Sequence, residues 1–256
     1  MKLTFLGTGT SGGVPMIGCS CQVCRSEDAR DKRLRSSVML EEGETRVVID
    51  CGPDFRQQML REDVHRLDAI VFTHGHKDHT AGMDDVRPFN YFERKAIPLY
   101  VDELTEEALR KEYHYVFGTN TYPGIPQVSL HRLTGKPFDI GAIHLEPIRV
   151  MHLDLPVFGF RIGKLAYITD ANRIDEAAMN RLRDLDILVI NALRMTPHIS
   201  HFSLPEALEL IRELRPGSAY ITHISHQMGT HASVEAGLPE NVHLAYDGLR
   251  LEAAGF

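Results

Sequence analysis

Residues 72–82 read FTHGHKDHTAG and put four metal-competent side chains, His74, His76, Asp78 and His79, within six residues. His74 and His76 are two apart, so in an extended segment their side chains point the same way. Asp78 and His79 follow at once, and a turn there aims them at a neighbouring point, with Gly75 permitting the tight path. An apolar strand-like run, LDAIVF, leads directly into the motif. Histidines and carboxylates accept manganese, zinc and iron alike. A pair of such ions about 3.5–4 Å apart activates water and clamps an oxygen-rich substrate. A solvated polar loop is the bland alternative, and the density of the motif weighs against it.

A second cluster lies near the N-terminus. Residues 18–24, GCSCQVC, hold three of the four cysteines, Cys19, Cys21 and Cys24. A closed structural zinc site takes four donors, so this run needs one more ligand; reduced, unligated thiols are the alternative. Cys51, in VVIDCG, is most simply a small buried residue. Further candidates stand where apolar runs stop. His152 ends IHLEPIRVMH, Asp170 ends AYITD, and His223 follows YIT. His144 shares a run with His152, but a ligand belongs at a strand end facing a cleft, which favours His152. Asp170 could instead cap the helix after it. His65, His114, His131, His231 and His243 show no partner in sequence and read as surface or packed residues.

Short β-branched runs separated by Gly, Pro and Asp must position these side chains: KLTFLG, TRVVID, LDAIVFTH, IPLYV, IHLEPIRVMH, FGFRI, LAYITD, DILVIN and SAYITH. The clearest helix is SLPEALELIRELRP, with Ser203 and Glu206 as a capping box, Pro205 in the first turn and Pro216 as the stop. Helical spacing predicts another across residues 173–185. Strands dominate the middle and alternate with helices toward the C-terminus, which predicts an α/β fold of two sheets flanked by helices. No Pro/Gly/Ser-rich linker divides residues 1–256, so a single domain is expected. Residues 84–127 are harder to place; the aromatics Phe89, Tyr91, Phe92, Tyr113, Tyr115 and Tyr122 suit either core or a mouth over a site. Arg87, with Asn90 or Tyr91, either clamps a phosphate or simply pairs with Asp84 or Asp85.

Composition narrows the classes. With 43% hydrophobic and 25% charged residues the chain can bury a core, and its formal charge of −7 disfavours a nucleic-acid partner. No run approaches the ~20 apolar residues that span a bilayer, and the N-terminal apolar run is too short for a signal peptide. A cytoplasmic location without membrane contact is therefore expected. In that reducing compartment clustered cysteines favour metal over disulfides.

His74-Gly75-His76-Lys77-Asp78-His79 resembles the HxHxDH signature of the metallo-β-lactamase superfamily, whose fold is an αββα four-layer sandwich. FLGTGTSGGVP resembles its opening strand and Gly-rich turn, and Asp50 its early metal-loop organiser. The resemblance implies that His74, His76 and His152 hold one catalytic metal and Asp78, His79 and His223 the other. Asp170 and a hydroxide would bridge them. The C-x-C-x-x-C run with THISHQ resembles the subgroup of PhnP-type phosphoribosyl cyclic phosphodiesterases, which implies a structural zinc on Cys19, Cys21, Cys24 and His226. In that subgroup the histidine matching His201 is the general acid, with His198 its local rival here; His201 and Asp78 are the expected catalytic residues. Residues 82–95 do not obviously match that subgroup. The expected function is dinuclear metal-dependent hydrolysis of a small cyclic or nucleotide-like phosphodiester, and the resemblance allows a homodimer. GTSGGVP and VIDCG also resemble the transfer-RNA 3′-end processing endonuclease, and a non-catalytic metal-binding relative is the third reading.

Overall fold

The computed structural model describes residues 1–119 and 122–252; the remaining positions of the 1–256 domain expectation lie outside the described residues. Two seven-stranded sheets organise the chain. The first runs Arg250–Glu252, Lys2–Gly7, Ser37–Glu42, Thr45–Ile49, Ala69–Val71, Ile97–Val101 and Val128–Arg132. The second runs Val242–Leu244, Ser218–Thr222, Ile187–Asn191, Leu165–Ile168, Leu155–Ile162, Ile143–His152 and Phe138–Ile140.

Side-chain alternation along the strands builds the layers. Val38, Leu40, Val47 and Ile49 face the second sheet and pack with Phe158, Phe160 and Tyr167. Their neighbours Met39 and Val48 face the other way, onto Phe55, Met59 and Leu109 of helices Phe55–Arg61 and Glu103–Glu112. The second sheet does the same, placing Ile168, Leu188 and Ile190 against Ala207 and Ile211 of helix Leu204–Leu214. Both sheets are therefore buried on two faces, and the result is the four-layer α/β sandwich. Helix Leu204–Leu214 begins as expected, with Glu206 Oε2 accepting from the Ser203 amide at 2.7 Å.

The structure corrects one expectation of local structure and places a stretch that the sequence leaves open. The helix predicted over residues 173–185 is only Glu176–Arg181, capped by Asp175, whose carboxylate accepts from the Ala178 amide. Arg173 is taken by a bridge to Met151, and Asp184 turns into the left-handed region at φ 57°. Residues 84–127 fold largely into helices Arg87–Glu93 and Glu103–Glu112 around strand Ile97–Val101. Phe89 and Tyr113 are core, whereas Tyr91 and Phe92 are exposed on the outer surface. Arg87 pairs with Asp84 at 2.7 Å, and Asn90 donates to the carbonyls of Lys95 and Gln127. Those groups serve the helix and its neighbours.

Two glycines permit close backbone approach beneath the HxHxDH loop. A Cβ on Gly52 would meet Asp78 O at 2.0 Å, and one on Gly82 would meet Gly52 O at 2.1 Å. Gly52→Ala is expected to destabilise the protein by about 1–3 kcal/mol, the usual range for overpacking, and to weaken metal uptake by displacing Asp78. Thermal melting and elemental analysis check this; wild-type values in both would show that the loop yields without consequence.

Candidate metal centre

The sheet-borne residues that converge here stand at strand termini. Asp50 follows Thr45–Ile49, Thr73 and His74 follow Ala69–Val71, His152 ends Ile143–His152, and His223 follows Ser218–Thr222. Asp50, Asp170 and His223 adopt left-handed backbone at φ 64°, 58° and 57°. That conformation is unfavourable for residues with a Cβ and concentrates at functional sites. It turns each chain abruptly from sheet to loop, delivering the side chain to the cleft.

Three groups of donors result, with the ligand atoms of each lying within 4.8 Å of one another. His74, His76 and His152 form one group; Asp78, His79, Asp170 and His223 form the second. Asp170 also belongs to the third, with His152 and His201. His74 Nε2 lies 3.0 Å from His76 Nδ1. His79 Nε2 lies 3.2 Å from both Asp78 Oδ2 and Asp170 Oδ2, yet this fully buried nitrogen has no hydrogen-bond partner among the described residues. Buried polar atoms are rarely left so. Groups that converge without bonding one another fit a shared cation.

The hydrogen-bond network fixes which nitrogen faces the centre. Asp50 is fully buried and accepts from the Thr73 amide at 2.8 Å, the Thr73 hydroxyl at 2.8 Å and His79 Nδ1 at 2.7 Å. Because the Thr73 hydroxyl donates to Asp50, it accepts from His74 Nδ1 at 3.0 Å. His152 Nδ1 donates to the Ser200 carbonyl at 2.8 Å. In His74 and His152 Nδ1 therefore carries the proton and Nε2 keeps its lone pair, the arrangement that outer hydrogen bonds impose on metal-binding imidazoles. His79 likewise turns Nδ1 to Asp50 and Nε2 to the centre. Burial pushes His74, His76 and His223 down, toward the neutral form. Burial would raise Asp170, but His223 and His79 hold it well below the usual carboxylate range. His79 goes the other way: against its burial, Asp170, Asp50 and Asp78 hold it well above the usual imidazole range. A divalent cation would have to displace the proton on its Nε2, whereas His74, His76 and His223 are already in the neutral form that a cation requires.

His201 is the remaining histidine at the centre. Its ring stacks on His223 at 4.8 Å, and Nδ1 lies 3.7 Å from Asp170 Oδ1 without a hydrogen-bond partner among the described residues. Burial and His223 push it down to about 3. His198 stands farther out, its ring 5.3 Å from that of His201. His144 is exposed and pairs with Asp139. His231 is buried against Arg33, and His243 pairs with Glu235.

The cysteine run folds onto His226. Cys19 Sγ and Cys21 Sγ each lie 3.4 Å from His226 Nδ1, and Cys24 completes a group within 4.8 Å. The Cys24 amide and His226 hold the Cys21 thiol down at about 6, while burial pushes Cys24 up to about 11. Three thiols and an imidazole make the four-donor set that a structural zinc takes. Bonds from Thr10 N to Ile224 O and Ile224 N to Thr8 O tie the same two loops. The clip thus fastens the N-terminal loop to the His223 loop. Zinc in this clip should survive in His74→Ala/His76→Ala protein, because the two sites share no ligand, and should be lost from Cys21→Ser protein. Elemental analysis decides: a His74→Ala/His76→Ala protein devoid of zinc would refute the clip.

A model of the β-lactamase superfamily domain matches residues 45–224. The chain belongs to that superfamily. A solved structure described as a diphosphatase from the PhnP family superposes with a TM-score of 0.92 at 42% identity, covering 99% of this chain and 98% of that one. Within the superfamily the chain is thus a PhnP-like member. It is also 38% identical over 252 residues to an octanoyltransferase of Porphyromonas gingivalis, matching 97% of this chain and spanning about half, 51%, of that relative. The human short-form tRNase Z shares the fold, at TM-score 0.71 and 18% identity over 98% of this chain and 99% of that one.

Sequence reasoning left several supporting groups unread. Thr73 lies inside the motif and could have been suspected as a link to Asp50. Ser200, Asn172 and Arg194 act through backbone carbonyls or side-chain amides and leave no local pattern.

Proposed function

We propose that the protein is a dinuclear metal-dependent phosphodiesterase acting on a small cyclic or nucleotide-like phosphodiester. The observation that carries the reading is the sharing of Asp170 between the donor groups, with His201 beside it. His74, His76 and His152 would hold one divalent cation and Asp78, His79 and His223 the other, with Asp170 available to both. Such a pair would supply activated water and neutralise phosphate charge. Asp50 and Ser200 hold the ligand histidines in register. His201 delivers a proton to the departing oxygen. Negative charge on a bound phosphodiester would favour the protonated form of His201, against the burial and the neighbouring His223 that disfavour it.

The 42%-identical relative is described as a diphosphatase, which supports cleavage at phosphorus and adds P–O–P substrates to P–O–C ones. The octanoyltransferase name belongs to a protein about twice as long; nothing in the donor set suits acyl transfer better than phosphoester hydrolysis. A transfer-RNA endonuclease is disfavoured by the charge of −7. A non-catalytic role is disfavoured by the complete donor set. Zinc, manganese and iron all suit these ligands, with zinc in the clip. A cytoplasmic location and the homodimer that the family resemblance allows are part of the same proposal. No described helix is long and apolar enough to cross a membrane.

Hydrolysis of bis(p-nitrophenyl) phosphate, cyclic nucleotides, cyclic sugar phosphates, diphosphate-linked compounds and precursor transfer RNA should be compared in defined metals. Turnover of a small phosphodiester that chelation abolishes and metal restores is expected. A metal-replete protein that cleaves only the RNA precursor, or nothing, sinks the proposal.

A further inference from the structure

The loop of residues 195–201 carries His198 and His201. Two backbone bonds close its base, Leu193 N to Phe202 O and Leu204 N to Arg194 O, both 2.9 Å. Its flank toward the ligands is held twice: Ser200 O accepts from His152 Nδ1 at 2.8 Å, and Ile199 O accepts from Asn172 Nδ2 at 2.8 Å. The opposite flank hangs on one side chain. Arg194 Nη2 donates to Pro197 O at 2.7 Å, Nε to Thr196 O at 3.2 Å, and Nη1 to Gln227 Oε1 at 3.1 Å. Among the described residues, Thr196 and Pro197 have no other hydrogen bond. Gln227 follows His226, the histidine of the cysteine clip, and its amide donates to Ser225 Oγ at 3.2 Å. The Ser225 amide in turn donates to Leu193 O at 2.9 Å, at the base of the same loop.

We propose that Arg194 is a positioning residue that couples the Cys19, Cys21, Cys24 and His226 clip to the loop carrying His201. The clip then sets where the proton donor stands as well as holding the fold. A planar guanidinium suits this task because its fixed fork of donors spans divergent acceptors at once. The loop is otherwise a short, exposed excursion, and its free backbone would sample many conformations. The proposal rests on the reading of His201 as the acid.

The test uses metal-loaded protein and two probes that differ only in leaving group, methyl phenyl phosphate and methyl p-nitrophenyl phosphate. Arg194→Ala should lose about 10- to 100-fold on the phenyl ester, the usual worth of a supporting partner, with little change in KM and little loss on the p-nitrophenyl ester. Arg194→Lys should behave like Arg194→Ala, because a point charge cannot span the three acceptors. Gln227→Ala, which leaves every clip ligand in place, should show the same selectivity. Hydrogen exchange at residues 195–200 should quicken in each variant while zinc content is unchanged. Added to His201→Ala, Arg194→Ala should cost nothing further, since both act on one step. Equal losses on the two esters with unaltered exchange, or fully additive losses in the double variant, overturn the proposal. If His201→Ala itself shows no leaving-group selectivity, the acid assignment fails, whereas the exchange data still score the Arg194 tie.

Discussion

Asp170→Ala is expected to lose at least one catalytic metal and nearly all hydrolysis while the chain stays folded. Asp170 is fully buried, and its carboxylate reaches His79 and His223 at 3.2 Å each and His201 at 3.7 Å. Its backbone turn at φ 58° is set by the strand before it and by Asn191, whose side chain bonds both the amide and the carbonyl of Ala171. Removing the carboxylate therefore leaves the turn in place and takes away the anion that balances the imidazoles. Loss of a partner in the outer shell typically lowers metal affinity or activity about 10–100-fold, and loss of the shared ligand should exceed that. Circular dichroism should report a folded protein, elemental analysis a metal deficit, and bis(p-nitrophenyl) phosphate a collapse in rate. Asp170→Asn separates charge from shape, since the amide keeps the volume but not the anion, and it should be nearly as impaired. A fully metallated, active Asp170→Ala protein would show that Asp170 serves the turn alone.

The sheets were legible because alternation is a local pattern, and the clustered donors because of motif density, strand ends and the resemblance to the superfamily signature. His152 was separable from His144 because one closes its strand and the other lies within it, and the structure puts the first in the cleft and the second in solvent with Asp139. The cysteine spacing likewise pointed to a clip, and His226 meets it across 205 and 207 residues of chain. What escaped was decided by side-chain-to-backbone bonds at long range. Helical spacing over residues 173–185 was real, but Asn172 and Arg173 bond to Met151 and withhold the first turn. Arg87 beside an acidic pair admitted two meanings, and only the ion pair at 2.7 Å chose between them. The Arg194 bonds to Thr196 and Pro197 use carbonyls, which any residue could present, so no residue type announced them.

His201→Ala is expected to slow hydrolysis of a phosphodiester with a poor leaving group by about 10²–10⁴, the usual worth of general acid–base catalysis. An alkoxide from a sugar or nucleoside leaves poorly unless protonated, and the metal ligands are committed to the cations. His201 is mostly buried, stacked 4.8 Å from His223, with an unpartnered Nδ1 3.7 Å from Asp170. It sits in the loop before helix Leu204–Leu214 rather than in a packed face, so its removal should spare the fold. His198 lies too far out to replace it without movement, its ring 5.3 Å away. With p-nitrophenolate, which departs unaided, the loss should be much smaller. A diphosphate bond should fall between these limits, because phosphate leaves more readily than an alkoxide. His198→Ala assayed in parallel should show no such selectivity. If His201→Ala loses equally on alkyl and p-nitrophenyl substrates, His201 orients phosphate as a neutral N–H donor, in keeping with its depressed pKa of about 3, and the departing oxygen takes its proton from elsewhere.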